Sequence, residues 1–460
     1  MDLFSSFSDQ DIKDWIQKIE SDLKGASLES LNRDYRNDLE IKAVLHQEAQ
    51  SSIGSLSNFP SFWHLVQDLD LNHPEEFNRY ALDALQTGAS GLLVRVNKPL
   101  STKEWEAAFK NISTQDIALY FDGIGMSDLD TLRNAVEFCK GNDENRIPPT
   151  LLFDPINQAL INGGWIRSES DDLAPWSFLV QDSDWKLCIN LEGISQAGAG
   201  LSTQLALALS RTQDLVKRFG DSILSRIHIH MNQGLAFFPE ISKVRALHKL
   251  WEFFTQAYSN TSPLSCTASA NIRYESVFDA HNNLLRQTTQ AMSGILGGVH
   301  GFMATRFDRS YASSTGFSLR MGRNLQLLLR DESFLGKQKD LGAGAYLIED
   351  LCLQLEEKSF KLFKEWEKEG GFMKIVDSGI LQTQIEKEAR SEKSDFESGD
   401  IKMVGVNIFE NKEEDPSDKI EFEITLLAEA DGQDFRPIRP ERLAQSAELK
   451  RLEELENQEG

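Results

Sequence analysis

Two short runs carry the residues best suited to chemistry. In RIHIHMN (226–232) His228, His230 and Asn232 alternate with Ile227, Ile229 and Met231, so on a strand the imidazoles and the amide share one face. In SCTASAN (265–271) the same period sets Ser265, Thr267, Ser269 and Asn271 against Cys266, Ala268 and Ala270. Imidazoles titrate near neutrality, so they can work as general acids or bases or can satisfy buried polar groups. Zinc would need a third ligand beyond His228 and His230, and no further His, Cys or Asp cluster lies close by in sequence, so no metal is expected. A row of small hydroxyls facing a barrel axis leaves room for a narrow polar ligand; the alternative is that it holds ordered water or faces outward. The candidate ligand-facing positions are therefore Ser265, Thr267, Ser269, Asn271, His228 and His230, and no residue is assigned a catalytic role.

The common catalytic signatures are missing. No GxGxxG, GxxxxGK[ST], GxSxG or HExxH occurs, which removes the usual nucleotide, acyl-hydrolase and zinc-protease readings. The glycine-rich GILGG (294–298) has no basic residue and reads as a tight turn. Cys139, Cys188, Cys266 and Cys352 are far apart with no CxxC pair, so they read as small buried apolar residues.

The elements that must position these residues follow from periodicity. Residues 1–60 read as a helix and an arm: Phe4, Phe7, Ile12, Trp15, Ile16, Ile19 and Leu23 recur at helical steps, and Gly25 can stop the helix. From Gly91 short apolar runs alternate with amphipathic ones, at 91–96, 117–123, 150–155, 186–193, 226–232, 265–274 and 301–308. Starts spaced about 25 to 40 residues apart fit strand, crossover helix and loops. Seven such units, with an eighth that is hard to place, predict an α/β fold: a (β/α)8 TIM barrel over 61–330, with a doubly wound sheet as the alternative. Residues 331–460 read as a helical extension with a late strand at MVGVNIF (403–409) and a charged C-terminal helix.

Composition bounds the partners. Seventy-two acids against 48 bases give a net charge of −24 over 460 residues, which repels phosphate backbones and anionic lipid and argues against nucleic acid. No run approaches the roughly 18 apolar residues of a membrane span. The N-terminus has acids where a secretory signal needs bases, predicting a cytoplasmic protein.

Several ordered segments carry a family resemblance: HNNLLRQTTQAMSGILGGVHGFMATRFD (281–308), GFSLRMGRNLQLLLRDES (316–333), DLGAGAYLIEDLCLQLEEKSFKLFKEWEKEGGF (340–372) and MVGVNIFEN (403–411). They resemble the acyl-CoA-binding barrel of the methylmalonyl-CoA mutase family, and residues 235–251 and 11–31 are similar to further parts of it. The resemblance implies a barrel axis that admits a pantetheine arm, and a second, flavodoxin-like domain that binds adenosylcobalamin through DxHxxG. Here Asp279, His281 and Leu284 imitate that motif with Leu in place of Gly, and the chain ends soon after 409. The family's catalytic histidine segment is replaced by CTASANIRYESVFDAHNN, with Thr267 at the histidine position by ungapped counting, and its early tyrosine segment is absent. Arg323, Asn324, Gln326 and Glu332 match the family's RNxQxxxxxES helix, and Asp340, Gly342, Gly344 and Tyr346 match the loop after it; these are expected to fix packing.

The resemblance therefore implies a noncatalytic small subunit without a cobalamin domain, paired as a heterodimer with a large subunit that carries adenosylcobalamin. The N-terminal helix and arm, and the helices after 320, are its expected contacts. Two alternatives remain: a split acyl-CoA mutase using His228, His230, Tyr120 or Tyr274, and a CoA-ester binding module without turnover.

Overall fold

The computed structural model describes residues 11–36, 38–45, 55–140, 146–414, 420 and 434–459. A short antiparallel hairpin, β1 (Arg33–Tyr35) and β2 (Leu39–Ile41), precedes eight parallel strands: β3 (His64–Asp70), β4 (Gly91–Arg95), β5 (Ala118–Asp122), β6 (Thr150–Leu151), β7 (Lys186–Asn190), β8 (Ile227–Gln233), β9 (Cys266–Ala270) and β10 (Gly301–Ala304). β10 pairs with both β9 and β3, so the sheet closes into a barrel and the doubly wound alternative is excluded.

Each strand splits its residues between two environments, as the pleat requires. Leu65, Leu92, Phe121, Leu187, Ile229, Met231 and Phe302 point outward into the main apolar core with the surrounding helices. The opposite phase holds a separate buried cluster of Val66, Leu93, Ala118, Tyr120, Leu152, Cys188 and Met303 along the axis. The helices start where side chains satisfy their first amides: Ser101 and Glu104 form a reciprocal capping box, and Asp154 caps a helix that opens on Pro155. Asp154 also takes both bonds from Arg211 Nη2 at 2.9 and 3.0 Å, a fully buried ion pair that ties β6 to the Leu201–Phe219 helix.

All seven runs read from the sequence contain barrel strands. The eighth is β3, where His64, Gln67, Asp68 and Asp70 interrupt the apolar pattern. All four cysteines are buried and unpaired with one another. GILGG ends the Asn282–Gly297 helix with Gly298 in the left-handed region at φ 101°. The expected late strand at 403–409 is instead a turn with a single isolated bridge, Val404 to Ile408. Gly405 and Phe409 adopt φ of 78° and 52°, and Asn407 Nδ2 donates to the carbonyls of Phe396 and Ile401, so the backbone folds on itself. Phe4 and Phe7 lie outside the described residues; the remainder of that pattern forms the Ile12–Asp22 helix.

The segments outside the barrel are fastened to it. The hairpin docks on the Tyr346–Lys368 helix through Glu40 N to Gln354 Oε1 (2.9 Å) and Lys42 to Asp350 (2.6 Å). The Ile380–Ser398 helix brings Glu392 over the C-terminal side of β9, where it accepts from Arg273 Nε (2.7 Å) and Tyr274 Oη (2.7 Å) and pairs with Arg36 Nη1 (3.1 Å). Leu443 N then donates to Arg273 O (2.8 Å), and Val277 N to Glu448 Oε1 (3.0 Å). The hairpin, the barrel mouth and the C-terminal extension meet at one carboxylate.

That geometry generates a prediction. Glu392, Arg273 and Arg36 keep 1%, 3% and 6% of their side chains exposed, so Glu392→Ala strands two buried guanidiniums. The expected loss is about 3–5 kcal/mol of unfolding free energy, read by urea denaturation, whereas Glu386→Ala on the exposed side of the same helix costs under ~1 kcal/mol. A Glu392 variant as stable as the parent would refute the clamp.

Candidate functional site

The barrel interior stacks in three layers: basic and small residues at the N-terminal end, the Tyr120 cluster in the middle and charged residues at the C-terminal end. β8 and β9 pair with His230 opposite Thr267 and Asn232 opposite Ser269, so the two sequence-predicted rows lie side by side. His228 Nδ1 is 2.9 Å from Ser265 Oγ and Nε2 is 2.8 Å from Thr267 Oγ1. His230 continues the pattern, with Nδ1 2.9 Å from Thr267 Oγ1 and Nε2 3.2 Å from Ser269 Oγ.

Proton counting shows that the chain closes with neutral rings. Asn232 Nδ2 donates to Ser269 Oγ at 2.7 Å, and its contact with the Ala270 carbonyl requires the amide in that orientation. The proton order can run from Ser269 through His230 and Thr267 to His228 and Ser265, or in reverse, because Ser265 and Ser269 each have lone pairs for two donors, Lys186 with His228 at one end and Asn232 with His230 at the other. Each hydroxyl has one proton, so either order satisfies every link with both imidazoles neutral. Their titration agrees: burial pushes His230 down to about 4 and His228 well below its ordinary value, the latter reinforced by Lys186. Neither ring has a free nitrogen with which to take a proton from a substrate.

The structure thus brings five of the six candidate positions into one hydrogen-bonded ladder. Asn271 sits just beyond it, donating to Ser195 Oγ at 3.0 Å and accepting from Arg273 N. Beside the ladder the axis is filled by Tyr120, Leu93, Leu152, Val66 and Met303, with the Tyr120 and His228 ring centroids 5.8 Å apart. Tyr274 lies outside the axis, its hydroxyl held by Glu392.

At the C-terminal mouth, where barrel enzymes carry their chemistry, the sequence reading missed a charge network. Arg95 bonds Asp68 with two nitrogens (2.7 and 3.0 Å) and Asp122 with the third (2.8 Å), and Arg309 reaches Asp68 at 3.2 Å. Burial alone would raise the Asp68 carboxyl, but Arg95 and Arg309 hold it below its ordinary value; Glu192 is lowered against burial by Arg309 and Arg95. Asp122, where burial outweighs Arg95, is raised. A cleft of about 340 Å³ lies beside this network, lined by Asp68, His73, Tyr80, Arg95, Arg306 and Arg309. The available signal was parity: Asp68, Arg95 and Asp122 occupy the inward phase at the ends of their strands.

Some of the family-motif residues make buried contacts and others do not. Arg323 donates to Gln67 and Asp83, and Gln326 is buried beside it. Asp340 pairs with Arg245 and accepts from Leu56 N, and a side chain at Gly342 would meet Arg245. Gly344 takes φ 79°, ahead of the helix that begins at Tyr346. Asn324 is half-buried and Glu332 exposed. His281, in the segment that imitates the cobalt-binding motif, precedes the Asn282–Gly297 helix without a side-chain capping bond, its ring 5.4 Å from that of Phe307. The residues around it do not build a cobalt-ligand site. Among the described residues no group of three or more His, Cys, Asp or Glu could hold a metal ion, and no helix is long and apolar enough to cross a membrane.

A family model described as Methylmalonyl-CoA mutase matches residues 181–459. A methylmalonyl-CoA mutase small subunit from Porphyromonas gingivalis is 28% identical over 91% of this chain and 72% of its own length. The methylmalonyl-CoA mutase of Cereibacter sphaeroides is 24% identical over 92% and 67%, and the mitochondrial methylmalonyl-CoA mutase of Homo sapiens 24% over 83% and 56%. The chain therefore spans little more than half the length of the mitochondrial relative.

The buried ladder makes stability depend on pH in a defined direction. Between the ordinary histidine value of 6.5 and the folded value of about 4, the unfolded chain binds a proton at His230 that the folded chain refuses. Stability due to this group is therefore complete above pH 6.5, falls as pH drops through that window and levels off below about 4. In urea unfolding between pH 6.5 and 5, His230→Gln is expected to flatten the dependence by up to about 1.4 kcal/mol per pH unit. An unchanged slope would mean that His230 is not held neutral.

Proposed function

Because the chain belongs to the methylmalonyl-CoA mutase family, its match to the family model covering more than half of its residues, we propose that it is a noncatalytic small subunit of an adenosylcobalamin-dependent methylmalonyl-CoA mutase. It pairs with a large subunit that carries the cofactor and interconverts methylmalonyl-CoA and succinyl-CoA. The observation that carries the reading is the filled axis. Tyr120, Leu93, Leu152, Val66 and Met303 pack as one buried cluster along the axis, where the family resemblance leads one to expect a pantetheine arm, while His228 and His230 are hydrogen-bonded at both ring nitrogens. The charged mouth adds support, since Arg95 and Asp68 are matched to each other. The small-subunit name of the Porphyromonas gingivalis relative agrees with this role.

On this reading the barrel contributes shape and surface to the assembly, and the cytoplasm is its compartment. Exposed apolar side chains on the outer helices, including Phe253, Leu353 and Phe317, and Trp15 on the N-terminal helix, offer contact surface. Obligate interfaces bury such residues over large areas.

Co-expression with the cobalamin-carrying mutase chain of the same source tests the proposal. The expected outcome is a one-to-one complex by native mass spectrometry, no turnover of methylmalonyl-CoA by this chain with adenosylcobalamin alone, and an unchanged kcat of the complex when this chain carries His230→Gln. Turnover by this chain with only a separate cobalamin protein would overturn it in favour of a split mutase. Calorimetric binding of methylmalonyl-CoA to the isolated chain without turnover would overturn it in favour of a CoA-ester binding module.

A further inference from the structure

On the outside of the barrel the Pro74–Gln86 and Gly316–Leu327 helices flank β3, and between them lies a groove of about 500 Å³. Gln67 and Leu69 of the strand belong to its lining. Two crossings fix the spacing of its walls. Arg323 Nη2 donates to Asp83 Oδ2 at 3.1 Å, and a Cβ at Gly316 would sit 3.7 Å from Tyr80 Cε1. Arg320 lies between these crossings on the second wall, one turn after Gly316 and on the same helix face. Tyr80 and Leu319 also line the cleft at the C-terminal mouth, so the groove is its neighbour across a shared wall.

The charges in the groove do not balance. Arg323, which is buried, gives its bonds to Gln67 Oε1 (3.2 Å) and to Asp83. Arg79 holds its guanidinium 4.6 Å from the Tyr80 ring centroid and reaches Glu76 at 3.5 Å, an exposed pair of little strength. Arg320 forms no hydrogen bond or ion pair among the described residues; its guanidinium stands 6.0 Å from the centroid of Phe317, a ring that is 50% exposed. An unanswered guanidinium, two aromatic rings and a concavity of this size meet the requirements of a small-ligand site, which typically encloses roughly 300–1,000 Å³.

We propose that the groove binds a mononucleotide, with the phosphate on Arg320, the base against the Tyr80 and Phe317 rings and a ribose hydroxyl donating to Asp83. The phosphate is the anion that Arg320 lacks, and a guanidinium grips it with two parallel bonds. Aromatic rings and guanidinium planes are the usual platforms for a base. Asp83 decides among anions: its side chain is 59% exposed, and its Oδ1 accepts no hydrogen bond among the described residues. A ligand made only of acceptors is repelled there, whereas a ribose supplies donors. The groove shares no residue with the cluster that fills the barrel axis, so the assignment is independent of the subunit's role in the assembly.

The test is calorimetric titration of AMP into the full chain at constant ionic strength maintained with chloride, with adenosine and inorganic phosphate titrated separately. AMP is expected to saturate, and each half to bind at least about tenfold more weakly, since stacking and charge-assisted bonds each contribute about that factor. Arg320→Met is expected to raise the Kd for AMP about tenfold. Gly316→Leu, whose side chain fills the space against Tyr80, is expected to abolish binding; the exposed Arg320 serves alone if that variant does not fold. Arg320→Met leaves binding of a CoA ester on the barrel axis unchanged, which separates this site from that rival. No saturation with AMP, equal affinity for phosphate alone, or undiminished affinity in the folded Arg320 variant would overturn the proposal.

Discussion

A closed parallel barrel keeps water from its axis, so a polar atom pointing inward depends on the protein itself for its hydrogen bonds. The remaining interior geometry follows from that constraint. Two histidines on β8 can sit in such a place because β9 offers hydroxyls at the same heights, and because Asn232 closes the row on Ser269. The apolar remainder of the axis is then free to pack, and Tyr120 with its aliphatic neighbours packs it. A tunnel lined by unpaired hydroxyls and an axis laced by mutual hydrogen bonds can have similar compositions along one strand; the side chains across from it decide between them.

Much of the architecture was legible in the sequence because periodicity reports it directly. The alternation of His228, His230 and Asn232 with isoleucine and methionine, and of the 265–271 hydroxyls with alanine and cysteine, survives intact in β8 and β9. What the sequence did not carry was the height of one row against the other. His230 opposite Thr267 is a fact of cross-strand register, set by loops and ring closure rather than by either segment. β3 escaped for a different reason: its inward phase carries His64 and Asp68 and its outward phase Gln67, so neither face reads as apolar. In MVGVNIF strand propensity favoured an extended chain, and Gly405 with the Asn407 side chain favoured the turn.

The charged residues show the same division. Asp154 and Arg211 are separated by most of two units of the barrel, yet the carboxylate completes a helix cap and neutralises a buried guanidinium at once. Such pairs add little net stability compared with apolar packing, but removing one partner is severe, so they fix which arrangement is populated. Arg95 plays that part at the C-terminal mouth by holding two strands' carboxylates together.

The attachment of the hairpin to the Tyr346–Lys368 helix has a consequence for synthesis. Lys42 and Asp350 stand 308 residues apart in the chain, and the Arg36–Glu392 contact spans a still longer stretch. At ribosomal speeds the N-terminal partner waits on the order of tens of seconds before the other emerges. Throughout that interval the hairpin and the growing row of parallel strands lack their final neighbours, and β3 waits for β10 with its edge unpaired. Unpaired strand edges of this kind are templates for pairing with other chains until the last third of the polypeptide has left the ribosome.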